Sequence, residues 1–148
     1  MKEELYNDGK WRLIRETADL PDGRTKTAVR GYRSDTVHIL AFHEGKVLLL
    51  REYRPFHGEW VWMLPSGHVD KENDPLEAAK RELREETGFH ANDMAHYCSA
   101  KHSETFGSVN HFYVANDLVH DPLPQDDDEL IEVHELSLKL AKEPPFTA

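Results

Sequence analysis

Cysteine is nearly missing from this 148-residue chain: Cys98 is the single thiol, so no internal disulfide can form and a reducing compartment fits. Long hydrophobic runs are missing too. No stretch approaches the roughly 20 apolar residues that a membrane-spanning helix needs. The opening Met1-Lys-Glu-Glu-Leu-Tyr-Asn-Asp has no apolar segment of the kind that directs secretion, and a cytoplasmic enzyme is the expectation. Positive charge is scarce, with 18 Lys and Arg against 28 Asp and Glu for a net charge of −10. That balance argues against nucleic acid and against an anionic membrane as partners, since both need a basic field. It leaves room for a phosphorylated small substrate, because bound cations reverse the local charge of an acidic cleft. Ten histidines are present, yet none are paired at His-x-x-x-His spacing, which argues against zinc.

What is present is ordinary for a globular chain, at 39% apolar and 31% charged residues. The length suits one domain with its own core, and neither repeats nor low-complexity segments interrupt it. Trp11 to Ala18 and Thr25 to Tyr32 read as strands joined by Leu20-Pro-Asp-Gly-Arg24, a turn in which proline presets one φ and Asp22-Gly23 supplies the left-handed position. Thr36 to Phe42 and Lys46 to Arg51 form a second hairpin through His43-Glu44-Gly45. Val47-Leu-Leu-Leu50 is uninterrupted, so that strand is expected to be buried on both faces. Val61 to Leu64 leads into Pro65-Ser66-Gly67, and further strands are expected near Met94 to Ala100 and Asn110 to Ala115. An acidic loop, Gln125 to Glu129, precedes a last apolar stretch and a short helix at Leu136 to Lys142. Many strands with one central helix and a late second one predict an α+β fold, a mixed sheet with helices packed on it. The expected partition is one domain, with residues 1–33 an N-terminal strand extension, 34–143 the core and 144–148 a tail.

The central helix carries agreeing start and stop signals. Asp74 is an N-cap, Pro75 suits the first helical position, Glu77 completes a capping box, and Gly88 stands at C′. At about 100° per residue, Leu76, Ala79 and Leu83 share one arc, the core stripe. Glu82, Glu85 and Glu86 fill the adjoining arc. Three carboxylates so placed repel one another by a few tenths of a kcal/mol per pair. A hard cation such as magnesium or manganese would remove that cost, and so would the neighbouring Arg81 and Arg84. The helix by itself leaves both readings open.

From Gly67 to Phe89 the chain reads Gly-His-Val-Asp-Lys-Glu-Asn-Asp-Pro-Leu-Glu-Ala-Ala-Lys-Arg-Glu-Leu-Arg-Glu-Glu-Thr-Gly-Phe. This resembles the box of the Nudix hydrolases, matching at Gly67, Arg81, Glu82, Leu83, Glu85, Glu86, Gly88 and Phe89. The box's first glutamate falls at Asn73, with Glu72 beside it. Leu20 to Arg24, Arg51-Glu-Tyr-Arg-Pro55, Leu64-Pro-Ser-Gly67 and Asp126 to Val133 are similar to the ADP-ribose pyrophosphatase branch. In that branch an acidic residue usually precedes the Leu-Pro, where this chain has Met63, and a glutamate lies in the late loop, where it has Ser108.

The resemblance implies an α/β/α sandwich with an added N-terminal β-hairpin. It also implies hydrolysis of a diphosphate linkage in a nucleoside diphosphate joined to a sugar. Its cofactor would be Mg2+, with Mn2+ as a substitute, held by Glu82, Glu85, Glu86 and the Ser66 carbonyl. Gly67 would let that carbonyl approach the ion, and Arg81 would orient a glutamate of the box. Arg54, with Arg51, is the candidate for the diphosphate. Glu85, Glu104 and Glu129 are all candidates for general base. Trp60, Trp62 and Tyr53 are candidates for stacking on a base, against the commoner role of core aromatics. Pairing through the Trp11 to Tyr32 segment would make a homodimer. The rivals are a Nudix enzyme acting on free or oxidised nucleotides, dinucleoside polyphosphates or capped RNA, and a non-catalytic domain that only binds nucleotide.

Overall fold

A computed structural model describes residues 1–70 and 72–142; the expected tail, 144–148, lies outside them. Ten strands and two helices follow in the order β1 (Lys2–Asn7), β2 (Arg12–Asp19), β3 (Thr25–Tyr32), β4 (Thr36–His43), β5 (Lys46–Arg54), β6 (Glu59–Met63), β7 (Ser66–His68), α1 (Pro75–Thr87), β8 (Phe89–Lys101), β9 (Val109–His120), β10 (Ile131–Ser137) and α2 (Leu138–Ala141). Strands dominate a mixed α+β fold. Its main sheet runs β10-β5-β4-β9-β8, with β6 added to β5 and β7 to β4; β4 and β9 are parallel.

The N-terminal segment departs from the expected hairpin. Lys2–Asn7 adds antiparallel to β2, giving a separate three-stranded sheet, β1-β2-β3. Its Lys-Glu-Glu opening hides strand propensity, and ion pairs such as Lys2–Glu16 at 2.7 Å supply the cross-strand contacts instead. The turn before β3 forms as its residues dictate, with Gly23 at φ +84°. The β4–β5 turn has Glu44 and Gly45 both at positive φ, as a two-residue hairpin loop requires.

β4 and β5 pair only at Phe42–Val47 and His43–Lys46; beyond that end they splay apart. The freed edge of β4 is taken up by β7, in the register Thr36–His68, Val37–Gly67 and His38–Ser66. The Ile39 amide donates to the Pro65 carbonyl at 2.9 Å. β5 turns instead to β6 and β10. The uninterrupted Val47 to Leu50 run is buried at Val47, Leu48 and Leu50 and half-buried at Leu49.

α1 lies over this divide. Ala78, Ala79 and Leu83 pack with Val37, Ile39, Leu48, Tyr113 and Ala115, and Leu76 joins from the rim. Asp74 caps it by accepting the Leu76 amide at 3.0 Å, and Gly88 closes it at φ +79°. The capping box does not form, because Glu77 binds Lys80 at 2.8 Å instead. The late helix is shorter than Leu136 to Lys142, since Leu136 and Ser137 belong to β10. No helix among the described residues is long and apolar enough to cross a membrane.

Candidate active site

Where β4 and β5 part, a cleft of about 610 Å³ opens, lined by Glu52 and Arg54 from β5, Ser66 and Gly67 from β7, Arg81 and Glu82 from α1, and Glu129 from the acidic loop. Its inner end reaches Glu86, Thr36 and His38.

Two box carboxylates press on the β7 backbone. Glu86, only 6% exposed, accepts the Ser66 amide at 2.8 Å. Glu82 lies so close against Gly67 that a Cβ there would overlap its carboxyl group, which is why glycine occupies the position. Burial pushes the Glu82 carboxyl up to about 7, Arg81 opposing and Glu85 adding to the shift. Burial likewise pushes Glu86 up to about 9, against the Ser66 hydrogen bond and with help from Glu82, Glu129 and Glu52. Two carboxylates held among others, out of water, cannot both keep their charge cheaply.

Glu85 stands beside them but points to Arg81, at 2.7 Å. Arg81 also pairs with Glu82 at 2.9 Å, binds Glu72 and donates to the His68 carbonyl at 3.0 Å. Burial would raise the Glu72 carboxyl, but Arg81 outweighs it and holds that group below its ordinary value. Glu72 therefore carries an ion pair to the box arginine at the place where the box's own first glutamate is lacking. The next residue, Asn73, takes φ +51°, a conformation asparagine tolerates better than most residues. Among the described residues no three His, Cys, Asp or Glu side chains are gathered closely enough to hold an ion. The donor set nonetheless fits a hard divalent cation: carboxylate oxygens, those of Glu86 buried and those of Glu82 half-buried, both with raised pKa, backed by backbone with no side chain in the way.

The remaining candidates separate. Arg54 and Glu129 line the cleft. Burial raises the Glu129 carboxyl, with Glu52, Asp126 and Asp128 adding to it and Arg54 opposing. Arg51 is not brought there. Strand side chains alternate, so Glu52 and Arg54 share the cleft face while Arg51 takes the other. Its guanidinium sits 5.1 Å from the Trp60 ring centre and 3.6 Å from Glu132. Trp60 and Trp62 lie on that opposite face, Trp60 edge-on to Tyr53 and Trp62 edge-on to His134, so they do not line the cleft. Glu104 is also elsewhere: it is exposed and paired with Lys26 of β3 at 2.8 Å. The Lys26 charge holds its carboxyl below the ordinary value.

Two features escaped the sequence reading. Glu52, 7% exposed, pairs with Arg54 at 3.0 Å; strand alternation from Arg54 was the signal that could have found it. Beside the cleft, sharing Arg33 and His68 with it, lies a pocket of about 320 Å³ lined by Trp11, His38, His102, Phe106 and Asn110. Its residues are scattered over three strands and three loops, and nothing local announces it.

Residues 32–148 match the profile of the NUDIX domain. An ADP-ribose pyrophosphatase of Bacillus subtilis (strain 168) is 28% identical over 142 residues, spanning 93% of this chain and 77% of its own. A methanol dehydrogenase activator of Bacillus methanolicus is 29% identical over 140 residues, spanning 92% and 76%. A crystal structure of an ADP compounds hydrolase superposes with a TM-score of 0.81, covering 100% of this chain and 84% of that one, at 24% identity. That last likeness is one of fold.

Proposed function

This chain belongs to the NUDIX family and is a pyrophosphohydrolase, and from that premise we propose that it splits the diphosphate of an ADP-ribose-like nucleoside diphosphate sugar. The carrying observation is the juxtaposition in one cleft of a guanidinium, Arg54, with the buried Glu86, the half-buried Glu82 and the loop carboxyl Glu129. One side suits a diphosphate and the other suits the cation that accompanies it.

In this reading Glu82, Glu86, Glu85 (once it leaves Arg81) and the Ser66 carbonyl hold the divalent ion, with Mg2+ the expected species and Mn2+ its substitute. When bound, the ion neutralises phosphate oxygens and polarises a water. Arg54 grips oxygens of the diphosphate, as a planar guanidinium does. Arg81 braces Glu82 from the rear, itself held by Glu72, and does not touch substrate. Glu129 is the base favoured here over Glu85 and Glu104, because it lines the cleft while Glu85 is engaged and Glu104 lies with β3. It takes the proton of the attacking water as a phosphorus–oxygen bond forms. The bond to the bridging oxygen breaks, leaving a nucleoside monophosphate and a sugar phosphate. The pocket around Trp11, His102 and Phe106 is of a size and composition to take the nucleoside.

We further propose a cytoplasmic homodimer formed through the N-terminal sheet, where Leu13 and Val29 leave large apolar side chains 41–47% exposed. Under this reading residues 1–33 serve pairing and lend Trp11 and Arg33 to the site, while 34–143 carry the rest of the chemistry within one domain. The deciding experiment is a hydrolysis screen with Mg2+ and product identification over ADP-ribose, other nucleotide sugars, nucleoside triphosphates, dinucleoside polyphosphates and 5′-triphosphorylated RNA. AMP and ribose 5-phosphate from ADP-ribose, at a rate above all the non-sugar substrates, is the expected result. Preference for a triphosphate or for RNA would sink it.

A further inference from the structure

Glu52 presents a problem as a purely structural residue. Its side chain is only 9% exposed and, among the described residues, has a single polar side-chain partner, the Nη2 of Arg54 at 3.0 Å. It stands close enough to Glu86 and Glu129 to raise both their pKa values. Taking a carboxylate out of water into such company costs more than one ion pair to a half-exposed arginine returns. An apolar residue at this β5 position would serve the fold better.

Its effect on Arg54 is more specific. Nη2 is held from behind by Glu52 and by the Met63 sulfur at 3.2 Å. The sulfur takes the hydrogen bond but is only a weak acceptor, so the paired charge of Glu52 supplies most of the hold. Among the described residues the other guanidinium N–H groups have no protein partner. They belong to a side chain 42% exposed on the wall of the cleft. An arginine fixed on one nitrogen and unbonded on the others has already given up the rotamer freedom that binding would otherwise remove.

We infer that Glu52 is a positioning residue, whose buried carboxylate fixes the Arg54 guanidinium with its free N–H groups available to the substrate diphosphate. This rests on the reading of Arg54 given above, and the test separates the two. Steady-state kcat and KM are measured on ADP-ribose, a GDP-sugar and a UDP-sugar for wild type, E52Q, R54K, E52Q/R54K, M63E and E52Q/M63E, with melting temperatures alongside. E52Q is expected to lower kcat/KM about tenfold on all three substrates through KM, because the guanidinium loses the paired charge that orients it. The double variant E52Q/R54K should lose no more than R54K alone, because Glu52 acts only through Arg54. A glutamate at 63 places a carboxylate where the sulfur now meets Nη2, so E52Q/M63E should recover most of the loss. A purely structural Glu52 would lower the melting temperature and show neither the coupling nor the rescue. Losses that multiply in E52Q/R54K, or an unimpaired E52Q beside an impaired R54K, overturn the inference and leave Arg54 in the site. An R54K enzyme indistinguishable from wild type removes Arg54, and the premise goes with it.

Discussion

Replacing Glu86 by glutamine separates the cost of the buried carboxylate from its use. At about pH 7.5 the metal-free fold must protonate a carboxyl whose ordinary pKa is 4.5 and whose folded pKa is about 9, at up to about 4 kcal/mol given 1.36 kcal/mol per unit. Glutamine keeps an acceptor for the Ser66 amide and carries no charge to neutralise. Its NH2 group must find a partner, which takes back about 1–2 kcal/mol. A net gain near 2 kcal/mol raises the melting temperature of a chain this size by about 4–8 °C. The sign follows from the raised pKa: the wild-type carboxyl is stabilised below its unfolded value, and that stability is lost as pH rises towards the folded one. Melting curves in EDTA from about pH 5 to pH 9 should therefore show Glu86→Gln gaining on wild type as pH rises. With saturating Mg2+ the order should reverse, since wild type binds the ion more tightly, and turnover of the variant should fall by orders of magnitude. A variant that melts at or below wild type in EDTA at the alkaline end, or that keeps near-normal turnover with Mg2+, would refute the reasoning.

Gly67→Ala drives a Cβ into the Glu82 carboxyl and should cost about 1–3 kcal/mol of stability, as overpacking does, along with most metal-dependent turnover; both are read by melting and by kcat at saturating Mg2+. Arg51→Ala removes a cation–π contact on the face away from the cleft and should lower stability by about 0.5–1 kcal/mol while leaving KM for ADP-ribose unchanged, so a large KM increase would return Arg51 to the site. Sedimentation velocity at micromolar concentration should give twice the 17.1 kDa chain mass, and Leu13→Glu should give the monomer; a monomeric wild type counts against pairing.

The helix and its carboxylates were legible because their signals are local: a capping aspartate, a first-turn proline, a terminal glycine and a fixed spacing from Gly67 to Phe89. The register of β4 with β7 was not legible, since it depends on β4 and β5 parting company, and no residue in either strand marks the fork. Arg51 and Arg54 look equivalent in Arg-Glu-Tyr-Arg, yet an interval of three sends them to opposite faces of β5. Glu52 was passed over for the same reason, although an interval of two puts it beside Arg54. β1 escaped because its stability comes from pairing with β2, not from an apolar pattern of its own.

The fork between β4 and β5 also limits how this protein can change. The segment from Pro65 to His68 carries the cleft's backbone wall, and it is equally the cover for the open edge of β4. An insertion there would expose the amides of a core strand and dislodge Ser66 and Gly67 together. Selection or engineering for a new substrate is thereby steered elsewhere, to the Pro55–Gly58 turn, the acidic loop and the N-terminal sheet. These can lengthen or shorten without unzipping β4. Diversity should gather around the rim, with the floor held constant by the same hydrogen bonds that keep the sheet closed.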